Sequence, residues 1–402
     1  MAFRADAAGG NGSRSRAVLF VQYTAEMTGS PISGHMIVAA LLADGWNVEA
    51  VFSDSGPCHE LYAKAGCSIH RLPHGTWLLG GTTFRRCRRW YPEFRAFLGF
   101  RRLIAQCRPQ LVYVNNVTGV AAVAAARTLG VPCVWHIREL FQDVGGEMRS
   151  PFPGGRWLVR RLVRDLPDRI VSVSEAVHRS VVGAWKSAKA CVVPNAVFQD
   201  FFANHRTREE ARNRLGLPCG IPLVGVPGTL RPVKGHPFFL QAAGQVAEQI
   251  PDCHFALTGD GPAAYRAELE QQVEQTNLGT RTHFLGTVVD MPGFYRACDV
   301  VCVPSRSESF GRTVIEAFAA GVPVVGTAVG GMRETIEHEE TGLLVPYGDV
   351  DILAETLTRL LSDGRVRSRL AEQAQAKAEQ CYGERSYQVR INQIVGDLVD
   401  RP

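Results

Sequence analysis

The stretch from Val300 to Gly326, VVCVPSRSESFGRTVIEAFAAGVPVVG, decides the fold. Val300–Val303 is a short apolar, β-branched run and reads as a buried strand. A polar loop follows, then a helical pattern from about Arg312, then a second buried strand at Val324–Gly326. Strand, helix and strand in this order form a right-handed crossover in a parallel sheet. The same alternation runs in both directions along the chain. Before this stretch, Leu223–Val226, Phe255–Thr258 and His283–Leu285 read as strands, with helices at Phe238–Gln249 and Ala264–Thr276. An earlier series reads Ala17–Val21, Val48–Phe52, Leu111–Val114, Cys133–Ile137, Ile170–Val173 and Cys191–Val193 as strands, with a helix face at Ile37–Leu42. Two α/β series predict two Rossmann-like domains joined near Pro194–Pro222. The expected boundaries are 17–200 and 201–385. The helical stretch Arg365–Leu398 is too long to be only a cap, and residues 386–402 are expected to pack back on the first domain.

Composition agrees with an ordinary globular protein. The 402 residues are 46% hydrophobic and 21% charged, which excludes collagen-like, low-complexity and disordered chains. Forty-four basic and 39 acidic residues leave a net charge of +5, too small for a nucleic-acid-binding chain of this size. The eleven cysteines are scattered without a Cys-x-x-Cys pair and read as reduced, cytosolic thiols. The histidines show no zinc-ligand spacing. Met1–Arg16 is rich in Ala, Gly, Ser and Arg, lacks the apolar core of a signal peptide, and is expected to be disordered. No run reaches the roughly 18 apolar residues of a membrane span.

Ligands of open parallel sheets sit beyond the carboxyl ends of the strands, so the residues after each strand are the candidates. In Glu308-Ser309-Phe310-Gly311-Arg312-Thr313-Val314-Ile315-Glu316, two glutamates flank a turn that opens a helix. Gly311 permits close backbone approach, and the helix start offers free N–H groups and a positive dipole end. Glu316 lies in an apolar helix, where a carboxylate is costly unless hydrogen-bonded. A pair of sugar hydroxyls would satisfy it; so would an i, i+4 pair with Arg312. In Gly228-Thr229-Leu230-Arg231-Pro232-Val233-Lys234-Gly235, two cations stand between a strand end and a helix start. Arg231 and Lys234 there suit a diphosphate, or form a basic surface loop. Ser30-Pro31-Ile32-Ser33-Gly34 is a weaker candidate for holding a phosphate. His136 and Arg138 lie at the end of Cys133–Ile137, where a lone histidine is either structural or functional. Asn115, Asn116, Ser174 and Glu175 also follow strands.

Two basic segments stand apart. Arg85–Arg102 holds seven arginines and five aromatic residues, and Arg156–Arg169 five arginines. They suit an anionic membrane surface or are solvated helix faces. No RNA-binding motif accompanies them.

Taken together, the Gly34 segment, His136, Gly228–Gly235 and the Glu308–Glu316 motif resemble the retaining glycosyltransferases of family 4. Val193-Pro194-Asn195, Leu257-Thr258-Gly259-Asp260-Gly261 and Phe284-Leu285-Gly286 add to the resemblance, which covers the chain from about Ala17 onward. It implies a GT-B fold, two facing Rossmann-like domains with the ligand cleft between them. It also implies that Arg231 and Lys234 bind the diphosphate of a UDP- or GDP-linked sugar, and that Glu316 binds the ribose hydroxyls. Glu308, with the backbone at Phe310 and Gly311, would hold the donor sugar. Gly228 belongs to the diphosphate loop, Val288 would border the base, and Gly34 would approach the phosphates. His136 would lie near the sugar and the leaving oxygen. No metal or separate cofactor is implied, because the protein's cations replace one. The acceptor implied is a glycan or a lipid-linked glycan, met at the cytoplasmic membrane surface. A small soluble acceptor, and a non-catalytic GT-B protein that binds a sugar nucleotide, are the alternatives. The resemblance departs in the first loop, where Ser33-Gly34 replaces the usual pair of glycines.

Overall fold

The computed structural model describes residues 16–75, 77–78, 90–141, 155–183, 185, 187–203 and 206–400. The expected disordered segment, apart from Arg16, and the arginines at 85–89 lie outside these residues.

Two parallel sheets form the frame. The first contains β1 (Ala17–Gln22), β2 (Asn47–Phe52), β3 (Ser68–Arg71), β4 (Leu111–Val114), β5 (Cys133–Ile137), β6 (Arg169–Ser172) and β7 (Ala190–Val192). Their spatial order is β3-β2-β1-β4-β5-β6-β7. The second contains β8 (Leu223–Val226), β9 (His254–Leu257), β10 (Thr282–Phe284), β11 (Val300–Val303), β12 (Val324–Thr327) and β13 (Leu343–Val345), in the order β10-β9-β8-β11-β12-β13. The central strands β4, β8 and β11 are buried throughout, as β-branched runs sandwiched between helices must be. Each order reverses once, between β1 and β4 and between β8 and β11. Those two reversals open the crevices into which ligands of such sheets fit.

The edge strands β3 and β13 escape a reading of apolar runs. β3 is short and only partly buried, and β13 has three residues. The long C-terminal helical stretch is two helices, Gly364–Tyr382 and Glu384–Val399, separated by Gly383 in an extended conformation (φ −66°, ψ 146°). Gly383 forms a parallel bridge with Val197, and the Val197 N–H donates to the Tyr382 carbonyl at 2.9 Å. The chain therefore crosses between the domains twice at one place. The first of these helices packs on Arg312–Ala319 of the second domain, and the second on Gly29–Ala43 of the first. Tyr387, Ile391 and Val395 join Ile37, Val38 and Tyr113 in one buried cluster. Another apolar cluster runs through both domains, with Leu140 and Phe141 of the first beside Phe310 and Met332 of the second.

Candidate active site

The crevice at the β8/β11 reversal is built from glycines and charges. After β8, Gly228 adopts φ 131°. Its carbonyl lies so close to Gly259 that a Cβ there would sit 2.3 Å away, and a Cβ on Gly261 would sit 2.1 Å from the Leu230 carbonyl. The loops after β8 and β9 thus pack backbone to backbone. The Leu230 N–H donates to the Asp260 carbonyl at 3.0 Å, and Asp260 in turn accepts from the Thr287 N–H at 3.1 Å. Arg231 is exposed on this loop. A 3₁₀ turn, Pro232–Lys234, follows, and Gly235 (φ 73°) leads into the helix His236–Gln249. That turn aims Lys234 across the crevice. Its Nζ lies 2.7 Å from Oε2 of Glu308, which follows β11, and the Ser305 hydroxyl donates to the same oxygen at 3.3 Å. Residues 74 positions apart are brought together, with side chains 25% and 15% exposed.

From Glu308 the motif turns at Gly311 (φ 90°) into the helix Arg312–Ala319. Gly330 and Gly331, after β12, press on its backbone, and the Gly331 N–H donates to the Glu308 carbonyl at 2.9 Å. Phe310 is buried edge-on against Tyr382, and its carbonyl accepts from the Thr335 hydroxyl at 2.8 Å. The first domain grips the same segment. The Leu140 N–H donates to the Ser309 hydroxyl at 3.1 Å, and the Ser174 hydroxyl donates to the Ser309 carbonyl at 2.6 Å. Glu334 accepts from the N–H groups of Glu175 and Ala176, both at 2.7 Å, placing a carboxylate on the positive end of the helix Glu175–Val181.

Glu316 has protein partners for both oxygens. Arg312 donates to Oε1 at 2.6 Å and the Tyr295 hydroxyl to Oε2 at 2.9 Å. Both alternatives for Glu316 started from its costly burial, and the ion pair with Arg312 is present. At 16% and 9% side-chain exposure it is not the weak surface pair that i, i+4 spacing describes. Removing one partner of a pair so buried costs about 3–5 kcal/mol. A carboxylate offers about four lone-pair sites, so capacity for a further donor is left. Arg312 also reaches the first domain, donating to the Gly29 carbonyl at 2.8 Å. Val288 is partly buried against the cluster shared by the domains.

One residue of the first domain is placed differently from expectation. Gly34 is not in a loop. The helix starts at Gly29, so Gly34 lies in its second turn, and its missing side chain makes room for Tyr62 Oη, Asn115 Nδ2 and Gln22 Oε1. A Cβ would meet them at 2.5, 2.7 and 3.1 Å. His136 is the penultimate residue of β5, which spans Cys133–Ile137 as the sequence predicts. Its ring is fully buried, accepts or donates one hydrogen bond with the Tyr113 hydroxyl at Nδ1 (2.9 Å), and has no partner at Nε2 among the described residues. Burial first, and then the nearby Arg138, push its pKa well below the ordinary value. The first residue past the strand is Arg138, which donates to Asn115 and Asn195, both at 2.6 Å, and contacts the Tyr387 hydroxyl at 3.4 Å. It draws strand ends β4 and β5, the interdomain crossing and the last helix into one network. Sequence reasoning does not reach Tyr295, Glu334 or the Gly330-Gly331 pair. Only the two glycines, after an apolar run, carry a local signal.

The architecture and this crevice define a two-domain Rossmann-like protein whose strand ends converge on a cation–carboxylate pair. The model "Glycosyl transferases group 1" matches residues 207–377, and "Glycosyl transferase 4-like domain" matches 29–196. The chain belongs to the family 4-type, GT-B glycosyltransferases. It is 33% identical over 233 residues to the D-inositol 3-phosphate glycosyltransferase of Corynebacterium urealyticum, covering 55% of each chain. It is 32% identical to the 2-deoxystreptamine glucosyltransferase of Streptomyces kanamyceticus, over 61% of this chain and 65% of that one. The match thus spans between half and two thirds of these relatives' length. The fold is that of Anabaena HepE, solved in complex with UDP-glucose, with a TM-score of 0.79, 21% identity, and 95% and 100% of the two chains covered.

Proposed function

We propose that the chain moves a sugar from a nucleoside-diphosphate donor to an acceptor hydroxyl with retention of anomeric configuration. The observation that carries this reading is the Lys234–Glu308 pair at the β8/β11 reversal, beside exposed Arg231 and the glycine-built loop. When the bond from the anomeric carbon to the diphosphate oxygen breaks, negative charge grows on the diphosphate. Arg231, Lys234 and the helix start at Arg312 stabilise that charge without a metal ion. Glu308 holds the sugar and Glu316 the ribose. The acceptor oxygen bonds to the anomeric carbon on the face that the diphosphate leaves, and its proton passes to the departing phosphate oxygen. A thermal-shift panel of UDP, GDP, ADP and dTDP, with and without magnesium, tests the donor site. One diphosphate at 100 times its dissociation constant is expected to add about 2.7 kcal/mol of stability, independent of metal. No shift with any of them rejects the diphosphate assignment and favours a non-catalytic protein.

For the acceptor we propose a glycan presented at an anionic membrane surface on the cytoplasmic side. In the helix Trp90–Cys107, Tyr91, Phe94 and Leu98 are 68%, 58% and 39% exposed at helical spacing, next to exposed Arg95, Arg101 and Arg102. Among the described residues, no helix is long and apolar enough to cross a membrane. The wild type is expected to float with anionic vesicles at moderate salt, and Phe94→Ala to float less. A second reading, a small soluble acceptor, is favoured by the acceptors named for the inositol phosphate and deoxystreptamine relatives. Absence of vesicle binding selects it.

A further inference from the structure

On the β2–β3 side of the first sheet, three side chains of different chemistry converge. Glu49 is on β2 and His70 on β3. The parallel register pairs Glu49 with Ser68 and Val51 with His70, so Glu49 and His70 emerge two residues apart on the same face. The helix Trp90–Cys107 covers that face, packing Phe100 and Ile104 beside Val51, and it ends at Cys107. The Glu49 carboxylate, the His70 imidazole and the Cys107 thiol place their ligating atoms within 4.8 Å of one another, the only such group of three or more among the described residues. His70 Nε2 already lies 2.6 Å from Glu49 Oε2. All three residues are partly buried, enough to hold their positions and open enough to admit an ion and a water.

We propose that Glu49, His70 and Cys107 form a zinc site. One thiolate, one imidazole and one carboxylate are a donor set suited to zinc and poorly suited to magnesium or calcium, which prefer all-oxygen shells. Around a tetrahedral zinc these atoms stand about 3.3–3.6 Å apart, given bonds of about 2.0–2.3 Å. The carboxylate and imidazole therefore move apart by about 0.7 Å, within side-chain rotation. Cys107 binds as thiolate and releases its proton to solvent. Three protein ligands leave the fourth position to water. The site ties the edge of the sheet to the helix that carries the exposed Tyr91, Phe94 and Leu98, so zinc would fix how that helix is held. The sequence hides it, because the ligands are 21 and 37 positions apart on two strands and a helix end.

The test is a titration of the reduced full-length chain with cobalt(II), a spectroscopic substitute for zinc. The expected result is a thiolate-to-cobalt charge-transfer band that saturates at one equivalent and disappears when zinc is added. Cys107→Ser should abolish the band, and His70→Ala should weaken cobalt binding at least tenfold. Cys219→Ser, which removes an exposed thiol elsewhere, should leave both unchanged. Far-ultraviolet circular dichroism of each variant confirms that it is folded, and Glu49→Gln is the substitute should either fail. No saturable band in the wild type, or a band that survives in folded Cys107→Ser, overturns the proposal.

Discussion

Lys234→Ala is expected to lower kcat/KM by about 10²–10³-fold, the usual effect of losing one preorganised donor to developing negative charge. Two consequences add. The diphosphate loses a point charge that matters most in the transition state, so kcat falls more than KM rises. Glu308, whose side chain is 15% exposed, also loses its 2.7 Å cationic partner and its orientation. Lys234→Arg should rescue little, because a planar guanidinium does not fit the place of a compact ammonium. Glu316→Gln should also lose turnover while keeping a hydrogen bond to Tyr295. Glu316→Ala should in addition lose stability, since Arg312 would stay mostly buried without a carboxylate. The measurement is steady-state release of the nucleoside diphosphate that the thermal-shift panel selects, with circular dichroism as the folding control. Wild-type turnover in both Lys234→Ala and Glu316→Gln would remove both residues from the mechanism.

The second large effect is on acid stability. His74, His136 and His236 are buried, at 2%, 0% and 0% exposure. Burial is the leading cause in each, pushing His74 and His236 from 6.5 to about 4 and His136 well below its ordinary value. A histidine whose folded pKa is depressed binds its proton in the unfolded chain first. Its contribution is complete above the unfolded pKa, near 6.5, and is lost as pH falls toward the folded pKa, near 4. Each tenfold loss of proton affinity on folding is worth about 1.4 kcal/mol, so His74 and His236 each account for about 3 kcal/mol of stability lost by pH 4. Glu139, whose carboxyl burial raises, acts in the opposite sense, while His35, His254 and His283, which burial also lowers, add to the loss. Domain stabilities are about 5–15 kcal/mol, so the chain should unfold above pH 4. Urea midpoints at pH 7.5, 6.5, 5.5 and 4.5 should be level between the first two and then fall steeply. A midpoint constant down to pH 4.5 would show that these histidines are not held neutral inside the fold.

The strand–loop–helix–strand unit at 300–326 was legible because a buried parallel strand is a near-continuous apolar run, and the loop after it is its functional end. The same logic found both halves of the crevice, Gly228–Gly235 and Glu308–Glu316, though nothing in either half showed that Lys234 reaches Glu308. The pattern misplaces Gly34, because a helix that already starts at Gly29 turns a loop residue into an interior one. β3 carries no apolar run to read, because Ser68, His70 and Arg71 are polar and the strand is only partly buried. The break at Gly383 was invisible because the helical period continues on both sides of it.

The sequence alone determined the two parallel sheets, the family resemblance and the loops that bear charge, all of which follow from local pattern and from chain order. Only the tertiary structure decided the Lys234–Glu308 and Tyr295–Glu316 contacts, the Arg138 network, the grip of Ser174 and Leu140 on Ser309, and the meeting of Glu49, His70 and Cys107. These pairings depend on strand order and register, which bring together residues tens to hundreds of positions apart. No local period in a sequence encodes that distance.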